Sequence, residues 1–167
     1  MTSSEVIAKL GLRPLPNEGG FYRETYRSDD TLARSALPPR YSGDRHFSTA
    51  IYYLLTPDSF SAMHRIKSDE VYHFYQGGPV TMLQLHPDGR GEVLVLGSDL
   101  AAGHQCQCLA PRGVWQGLFL NPGADYALMG TTVSPGFEFA DFELGERSAM
   151  IEKFPQYQDL ITRLTRG

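Results

Sequence analysis

The sequence predicts an all-β fold, a sandwich or barrel with a short helix at each end. Many short segments rich in β-branched and aromatic residues follow one another between residues 46 and 144, with turn signals between them. Helical periodicity occurs only near the two termini, and no internal repeat or low-complexity tract is visible. A chain of 167 residues is long enough to bury a core without crosslinks, so one domain spanning residues 1–167 is expected.

The N-terminal part predicts a helix, a loop and a strand. The segment SSEVIAKLGL has apolar residues at helical spacing, with Ser3 or Ser4 as the N-terminal cap and Gly11 as the stop. RPLPNEGG is a loop by its proline and glycine content, and the alternating, aromatic FYRETYRS predicts a strand over residues 21–28. Residues 29–44 are rich in Pro, Ser and Arg without periodicity, which predicts a surface loop.

The central part predicts a succession of strands. Their segments are, in order, HFSTAIYYLL, FSAMHRI, EVYHFYQ, VTMLQLH, GEVLVLG, QCQCLA, VWQGLFL, YALMGTTV and FEFADFEL. Asp88 and Gly89 form the clearest hairpin signal, because this dipeptide supplies the positive φ that tight turns need. The final segment PQYQDLITRLTRG has one apolar stripe at helical spacing and predicts the second helix.

Charge and hydropathy narrow the possible partners. The 15 basic and 19 acidic residues give a net charge of -4 without any block of like charge, which argues against nucleic acid and anionic membranes. No basic region followed by an apolar run opens the chain, and no segment reaches the length of a membrane span. We therefore expect a cytoplasmic protein with a small-molecule partner.

A candidate site lies in the stretch AMHRIKSDEVYHFYQGGP. His64 and Ile66 are two residues apart and share one face of a strand, while Glu70 and Tyr72 share one face of the next strand. His73 has the opposite parity and points away. His64 and Glu70 are thus expected to converge on one cavity, with Ile66 and Tyr72 beside them.

The same stretch resembles the first motif of the cupin superfamily. In that motif a His, a second His two residues later, a Glu four after that and a Gly seven further on follow in order. His64, Glu70 and Gly77 match residue by residue, whereas Ile66 occupies the position of the second His.

The second cupin motif, a Pro, a Gly two later and a His three after that, is similar to PRGVWQ. Pro111 and Gly113 match, and Gln116 stands in place of the His. PLPNEGGFYRETYRS, STAIYYLL, SDEVYHFYQGGP and GTTVSPGFEFADFEL further resemble a branch of cupins long classed as a family of unknown function. The resemblance covers nearly the whole chain. It implies a double-stranded β-helix, or jelly-roll barrel, paired as a homodimer.

A metal would have to be held by His64, Glu70 and Gln116. An amide oxygen is a weaker donor than imidazole, so the two departures from the motif should sharply lower affinity for a transition metal. No cofactor is therefore expected, and a weakly bound divalent metal is the alternative. A hydrogen bond between His64 and Glu70 in a merely polar pocket is the simplest structural interpretation of the pair.

The function expected from these residues is binding of a small polar metabolite, sugar-like or an organic acid, in the barrel. The ligand contacts would come from His64, Glu70, Tyr72, Gln116 and Arg23. The alternative is a reaction resembling that of the metal-independent sugar epimerases among cupins, with His64 as general base, Glu70 as its orienting partner and Tyr72 as acid. A metal-dependent oxygenase or decarboxylase is disfavoured by the two ligand replacements.

Two strands leave the site incompletely defined. The sequence does not fix which face of the strand over residues 21–28 points inwards, so Arg23 could lie inside or outside the pocket. The same holds for residues 137–144, which could add a carboxylate from Glu138, Asp141 or Glu143. Trp115 has the parity opposite to Gln116 and is expected to face away from the cavity.

Overall fold

A computed structural model of the chain describes residues 1–166, and most of them belong to or connect strands of two facing sheets. The strands are β1 (Arg13–Pro14), β2 (Phe21–Arg27), β3 (Thr31–Leu32), β4 (Arg45–His46), β5 (Thr49–Leu55), β6 (Phe60–Arg65), β7 (Asp69–Gly77), β8 (Val80–Leu85), β9 (Gly91–Leu96), β10 (Gln107–Ala110), β11 (Trp115–Leu120), β12 (Ala127–Ser134) and β13 (Glu143–Leu144).

Three α-helices flank the strands: α1 (Ser3–Leu10), α2 (Arg147–Lys153) and α3 (Gln158–Arg163). The N-terminal cap of helix α1 is Thr2 rather than Ser3 or Ser4. Oγ1 of Thr2 accepts from the amide of Glu5 while the Glu5 carboxylate accepts from the amide of Thr2, so both free donors are satisfied together. Gly11 ends the helix in a left-handed conformation, as expected. Helix α2 was not foreseen from the sequence.

The strands pair antiparallel into a six-stranded sheet, ordered β1-β2-β5-β12-β7-β10, and a five-stranded sheet, ordered β13-β6-β11-β8-β9. Strands adjacent in one sheet come from distant parts of the chain, which is the connectivity of a jelly roll. The predicted all-β jelly-roll barrel with terminal helices is confirmed. The hairpin at Asp88 and Gly89 also forms, joining β8 to β9.

The main core fills the space between the two sheets. It contains Tyr53, Tyr72 and Met129 from the six-stranded sheet and Met82 and Leu118 from the five-stranded sheet. Side chains at alternate positions along the same strands point outwards, where the helices cover part of them and others, such as Tyr75 and Leu109, are exposed. The interior is therefore packed along most of its length, and a cavity remains at one end of the barrel.

Each outer face carries a smaller apolar cluster. On the five-stranded sheet, Met63 and Leu83 pack with Met150 of α2 and Ile161 of α3. On the six-stranded sheet, α1 packs against β5 and β12. These contacts fix the strand faces and so decide which residues point into the barrel.

The loop over residues 29–44 is more ordered than its composition suggests. Strands β3 and β4 pair across it, Leu37 and Tyr41 are buried, and the Tyr41 hydroxyl hydrogen-bonds to Ser68. Among residues 1–166, no helix is long and apolar enough to cross a membrane. The single domain, the homodimer and the cytoplasmic location expected from the sequence stay predictions.

Candidate functional site

A cavity of about 220 Å³ opens at one end of the barrel, where β6 ends and β7 begins. Its walls are mostly apolar, and its polar groups come from separate elements of the fold. The apolar and aromatic wall includes Tyr22, Ile51, Ile66, Phe137, Phe139 and Phe142. The polar groups include Glu18, Glu24, Arg27, His64, Glu70 and Glu138.

His64 lies on β6 with its imidazole 2% exposed and one edge towards the cavity. Nδ1 lies 2.8 Å from the carbonyl oxygen of Ala62. Because a carbonyl only accepts, Nδ1 carries the hydrogen and Nε2 is an acceptor in the neutral ring. Phe142 stacks on the ring at a centroid distance of 5.2 Å, so the ring is fixed in orientation.

Glu70 lies on β7 and receives a hydrogen bond from Gln116 on the opposite sheet, with Nε2 2.9 Å from Oε2. Burial raises the pKa of Glu70 above its ordinary value, the charge of His64 opposes this rise, and the charge of Glu18 adds to it. Within residues 1–166 no hydrogen bond or ion pair joins Glu70 to His64. The backbone of Ala62, not Glu70, orients the imidazole.

Tyr72 and Gln116 do not line the cavity. Tyr72 shares a strand face with Glu70, as predicted, but is 1% exposed and packs in the main core. Burial raises the pKa of Tyr72 well above that of a free tyrosine, which disfavours ionisation of its hydroxyl. Gln116 is buried behind Glu70, and its amide reaches the cavity only indirectly, by donating to the Glu70 carboxylate.

Arg23 lies on the outer face of the six-stranded sheet, with its guanidinium over the ring of Tyr52. An extra residue, Thr25, sits in β2 between the pairs Glu24 with Ile51 and Tyr26 with Ala50. Such a bulge shifts the alternation by one residue. Tyr22, Glu24 and Arg27 therefore all line the cavity, which regular alternation would not allow.

Arg27 ties the rim of the cavity together. Its guanidinium binds Glu24 at 2.9 Å and Glu138 at 2.7 Å. Both carboxylates share this one cation, and the three side chains are 30–40% exposed. The rim is thus an internally satisfied ionic network that faces solvent.

The segment over residues 137–144 places one of its three carboxylates at the cavity. Glu138 faces the cavity with three phenylalanines from the same segment. Asp141 points the other way into a buried ion pair with Arg45, Oδ2 to Nε at 2.7 Å. Glu143 is exposed and pairs with Arg65. Of the three candidate carboxylates, only Glu138 joins the cavity.

Glu18 was not identified from the sequence. It lies in the loop between β1 and β2, where its carbonyl accepts from the amide of Ala62 and its Oε1 accepts from Ser61 at 2.7 Å. Its Oε2 lies 3.9 Å from Nε2 of His64. The only signal in the sequence is an acidic residue before two glycines in a loop, and this pattern does not specify that the loop folds back onto β6.

Comparison with known proteins agrees with this architecture. A family model described as cupin superfamily (DUF985) matches residues 4–145. The chain belongs to this cupin family. An uncharacterized protein of Saccharomyces cerevisiae, YML079W, is 34% identical over 132 residues, which cover 74% of this chain. The match spans 66% of the yeast protein's length.

Solved structures similar to this cupin cover all or most of its length. Protein SO0799 of Shewanella oneidensis has a TM-score of 0.86 at 36% identity, with 99% of this chain and 98% of that chain covered. A hypothetical protein of Leishmania major has a TM-score of 0.87 at 30% identity, with both chains fully covered. A mutant of Bacillus subtilis oxalate decarboxylase has a TM-score of 0.54 at 14% identity, covering 92% of this chain and 37% of that chain, and shows the fold alone.

The donor set of this cupin does not fit the metal that the superfamily motif implies. Ile66 offers no donor, and the Gln116 amide is turned so that its nitrogen faces Glu70. In the part of the chain that the structure describes, no group of three His, Cys, Asp or Glu side chains is arranged to hold an ion. Of the motif positions that would bind a metal, only His64 and Glu70 keep a strong ligand, and two such ligands are too few for a transition metal.

Proposed function

We propose that this cupin binds a small polar molecule in the cavity beside His64, Glu18 and Glu70. The observation that carries the proposal is the state of His64. Its side chain is almost fully buried, one ring nitrogen is satisfied by Ala62, and the other faces the cavity with only a distant contact to Glu18. Nε2 therefore opens onto the cavity as an acceptor that a ligand donor can reach.

The surroundings of His64 support the same proposal. The cavity combines an apolar, aromatic wall with a few polar groups from different strands, which is the usual composition of a small-molecule site. Its volume of about 220 Å³ suits a metabolite the size of a single sugar ring or smaller.

A thermal-shift screen of sugars, organic acids and small amines tests the proposal with His64→Asn and His73→Asn. Asparagine at position 64 can keep the donor to the Ala62 carbonyl and removes Nε2. His73 lies on the outward face of β7, where it contacts Thr132 and Gln107, so His73→Asn is the matched control. A hit that binds the wild type and His73→Asn but not His64→Asn supports the proposal, and the absence of any hit overturns it.

A second candidate is a metal-independent isomerase or epimerase with His64 as general base. The fixed tautomer of His64 favours it, because Nε2 is ready to take a proton from a ligand carbon next to a carbonyl. The tyrosine that lines the cavity is Tyr22, so Tyr22 rather than Tyr72 is the better candidate to return a proton. An epimerase must exchange the abstracted proton with D₂O, whereas a binding protein leaves the bound molecule unlabelled, and mass spectrometry of the recovered ligand distinguishes them.

A further inference from the structure

The inner end of the cavity contains hydrogen-bond acceptors from three residues. Glu18 and Glu70 present carboxylate oxygens, and Nε2 of His64 presents a lone pair. Glu18 is 13% exposed and the other two side chains are more deeply buried, so these groups form the floor. A ligand that reaches this floor must bring donors.

Negatively charged groups outnumber positively charged ones around the cavity. Four carboxylates, those of Glu18, Glu24, Glu70 and Glu138, line it with two guanidinium groups. Arg27 is already bound to the two rim carboxylates. The second guanidinium, that of Arg13, is exposed at the mouth and hydrogen-bonds to the Tyr22 hydroxyl at 3.1 Å. Among residues 1–166, no lysine or arginine nitrogen lies within 4 Å of the two floor carboxylates, and the nearby Arg166 guanidinium donates instead to the backbone carbonyl of Glu18.

The wall above the floor is aromatic. Phe142 stacks on His64, and Phe137 and Phe139 meet edge to face at 5.1 Å beside the rim. Aromatic rings above carboxylates suit an ammonium group, since the ring faces and the carboxylates both attract positive charge. The same surroundings disfavour an anion, because a carboxylate or phosphate on the floor would lie beside the carboxyl groups of Glu18 and Glu70.

We infer that the ligand of this cavity is a small cationic amine whose ammonium group binds between Glu18, Glu70 and Nε2 of His64. The inference rests on the acceptors at the floor, the excess of carboxylates over cations around the cavity, and the aromatic wall. This inference rests on the proposed function and narrows it, because it excludes organic acids from the ligand classes. Glu18 is the residue that determines this preference, and Ser61 holds it in place through its other oxygen.

The test compares three probes that share a ring and differ only in the polar group: cyclohexylamine, cyclohexanol and cyclohexanecarboxylate. Binding is measured at pH 7 by calorimetry or by NMR shifts of the full chain. We expect the amine to bind about tenfold more tightly than the alcohol, and the carboxylate to bind most weakly, since charge-assisted hydrogen bonds are the stronger ones. Glu18→Gln should remove most of the difference between amine and alcohol.

Glu143→Gln is the matched control for Glu18→Gln, because Glu143 is exposed outside the cavity and pairs with Arg65. It should leave the order of the three probes unchanged. Tighter binding of the carboxylate, equal binding of amine and alcohol, or an amine preference that survives Glu18→Gln overturns the inference while the proposed function stands. If no probe binds and the metabolite screen also finds no hit, both fail.

Discussion

The Nε2 atom of Gln116 lies 2.9 Å from Oε2 of Glu70, and both side chains are buried. Glu70 occupies the place of a metal ligand in the cupin pattern, and Gln116 the place of another. The amide donates to the carboxylate that, in the family pattern, would bind an ion. This contact gives the buried carboxylate a hydrogen-bond donor from within the protein in place of an ion.

Restoring both missing imidazoles should restore metal binding. We expect Ile66→His/Gln116→His to take up about one Zn²⁺ or Mn²⁺ per chain after dialysis, because His64 and Glu70 would then complete a four-ligand set. Each single variant should hold substantially less metal. Elemental analysis of protein purified without a metal-chelating resin measures this, and near one ion per chain in the unaltered protein would contradict the expectation.

Replacing Glu70 by glutamine should stabilise the protein at neutral pH. Burial raises the pKa of Glu70, so the folded state holds this proton more tightly than the unfolded chain does. Stability is therefore lost as pH rises from the unfolded carboxyl pKa, about 4.3, through the folded value. The Glu70→Gln variant avoids that loss, and we expect its melting temperature to be a few degrees higher at pH 7 with little difference near pH 4.

Urea unfolding at both pH values checks this prediction, with Glu143→Gln as the control. Glu143 is exposed and ion-paired, so its replacement should change stability by less than about 1 kcal/mol. A loss of stability in Glu70→Gln at pH 7 would contradict the prediction. It would mean that the hydrogen bonds and charges around the ionised carboxylate stabilise it by more than its burial destabilises it.

Strand parity accounts for the part of the site that the sequence predicts. His64, Ile66 and Glu70 line the cavity as alternation requires, and His73 and Trp115 face away from it. Ile66 directly follows β6 and the others lie in strands, where a period of two fixes the direction of each side chain once a neighbouring core residue is placed.

Irregular backbone accounts for the residues that the sequence misplaced or missed. Arg27 reaches the cavity only because of the bulge at Thr25, and Glu18 only because a loop folds onto β6. Tyr72 has the predicted parity but lies two residues further into the barrel than Glu70, where the opposite sheet covers it. Neither a bulge nor the depth of burial leaves a periodic signal in one sequence.

The ion pair between Arg45 and Asp141 should be essential for stability. Both side chains are almost fully buried, and removing Asp141 leaves the Arg45 guanidinium with backbone carbonyls but without its carboxylate. We expect Asp141→Ala to lower the free energy of unfolding by about 3–5 kcal/mol, and Arg45→Met/Asp141→Leu to recover much of that loss. Because Asp141 lies between Phe139 and Phe142, Asp141→Ala should also weaken binding of any ligand found for the cavity.

The exposed pair of Arg65 and Glu143 provides the control for Asp141→Ala. It has similar bidentate geometry in an exposed position, so Glu143→Ala should cost less than about 1 kcal/mol. Chemical denaturation of these variants compares them directly. Equal losses for Asp141→Ala and Glu143→Ala would show that the buried pair does not hold the segment in place.

The two motif glycines should differ in their tolerance of a side chain. Gly77 and Gly113 both have positive φ, at 99° and 76°, so alanine is strained at either position by about 1–3 kcal/mol. A Cβ at Gly77 would lie 2.2 Å from the carbonyl oxygen of Tyr126, a backbone atom that cannot rotate away, whereas no atom lies within 4 Å of a Cβ at Gly113. We expect Gly77→Ala to lower the free energy of unfolding by about 2 kcal/mol or more beyond the loss in Gly113→Ala. Only the alanine at position 77 adds overpacking to the backbone strain. Gly89→Ala, which also has positive φ and open space around its Cβ, should behave like Gly113→Ala, and equal losses at all three positions would show that φ alone selects glycine in the cupin motif.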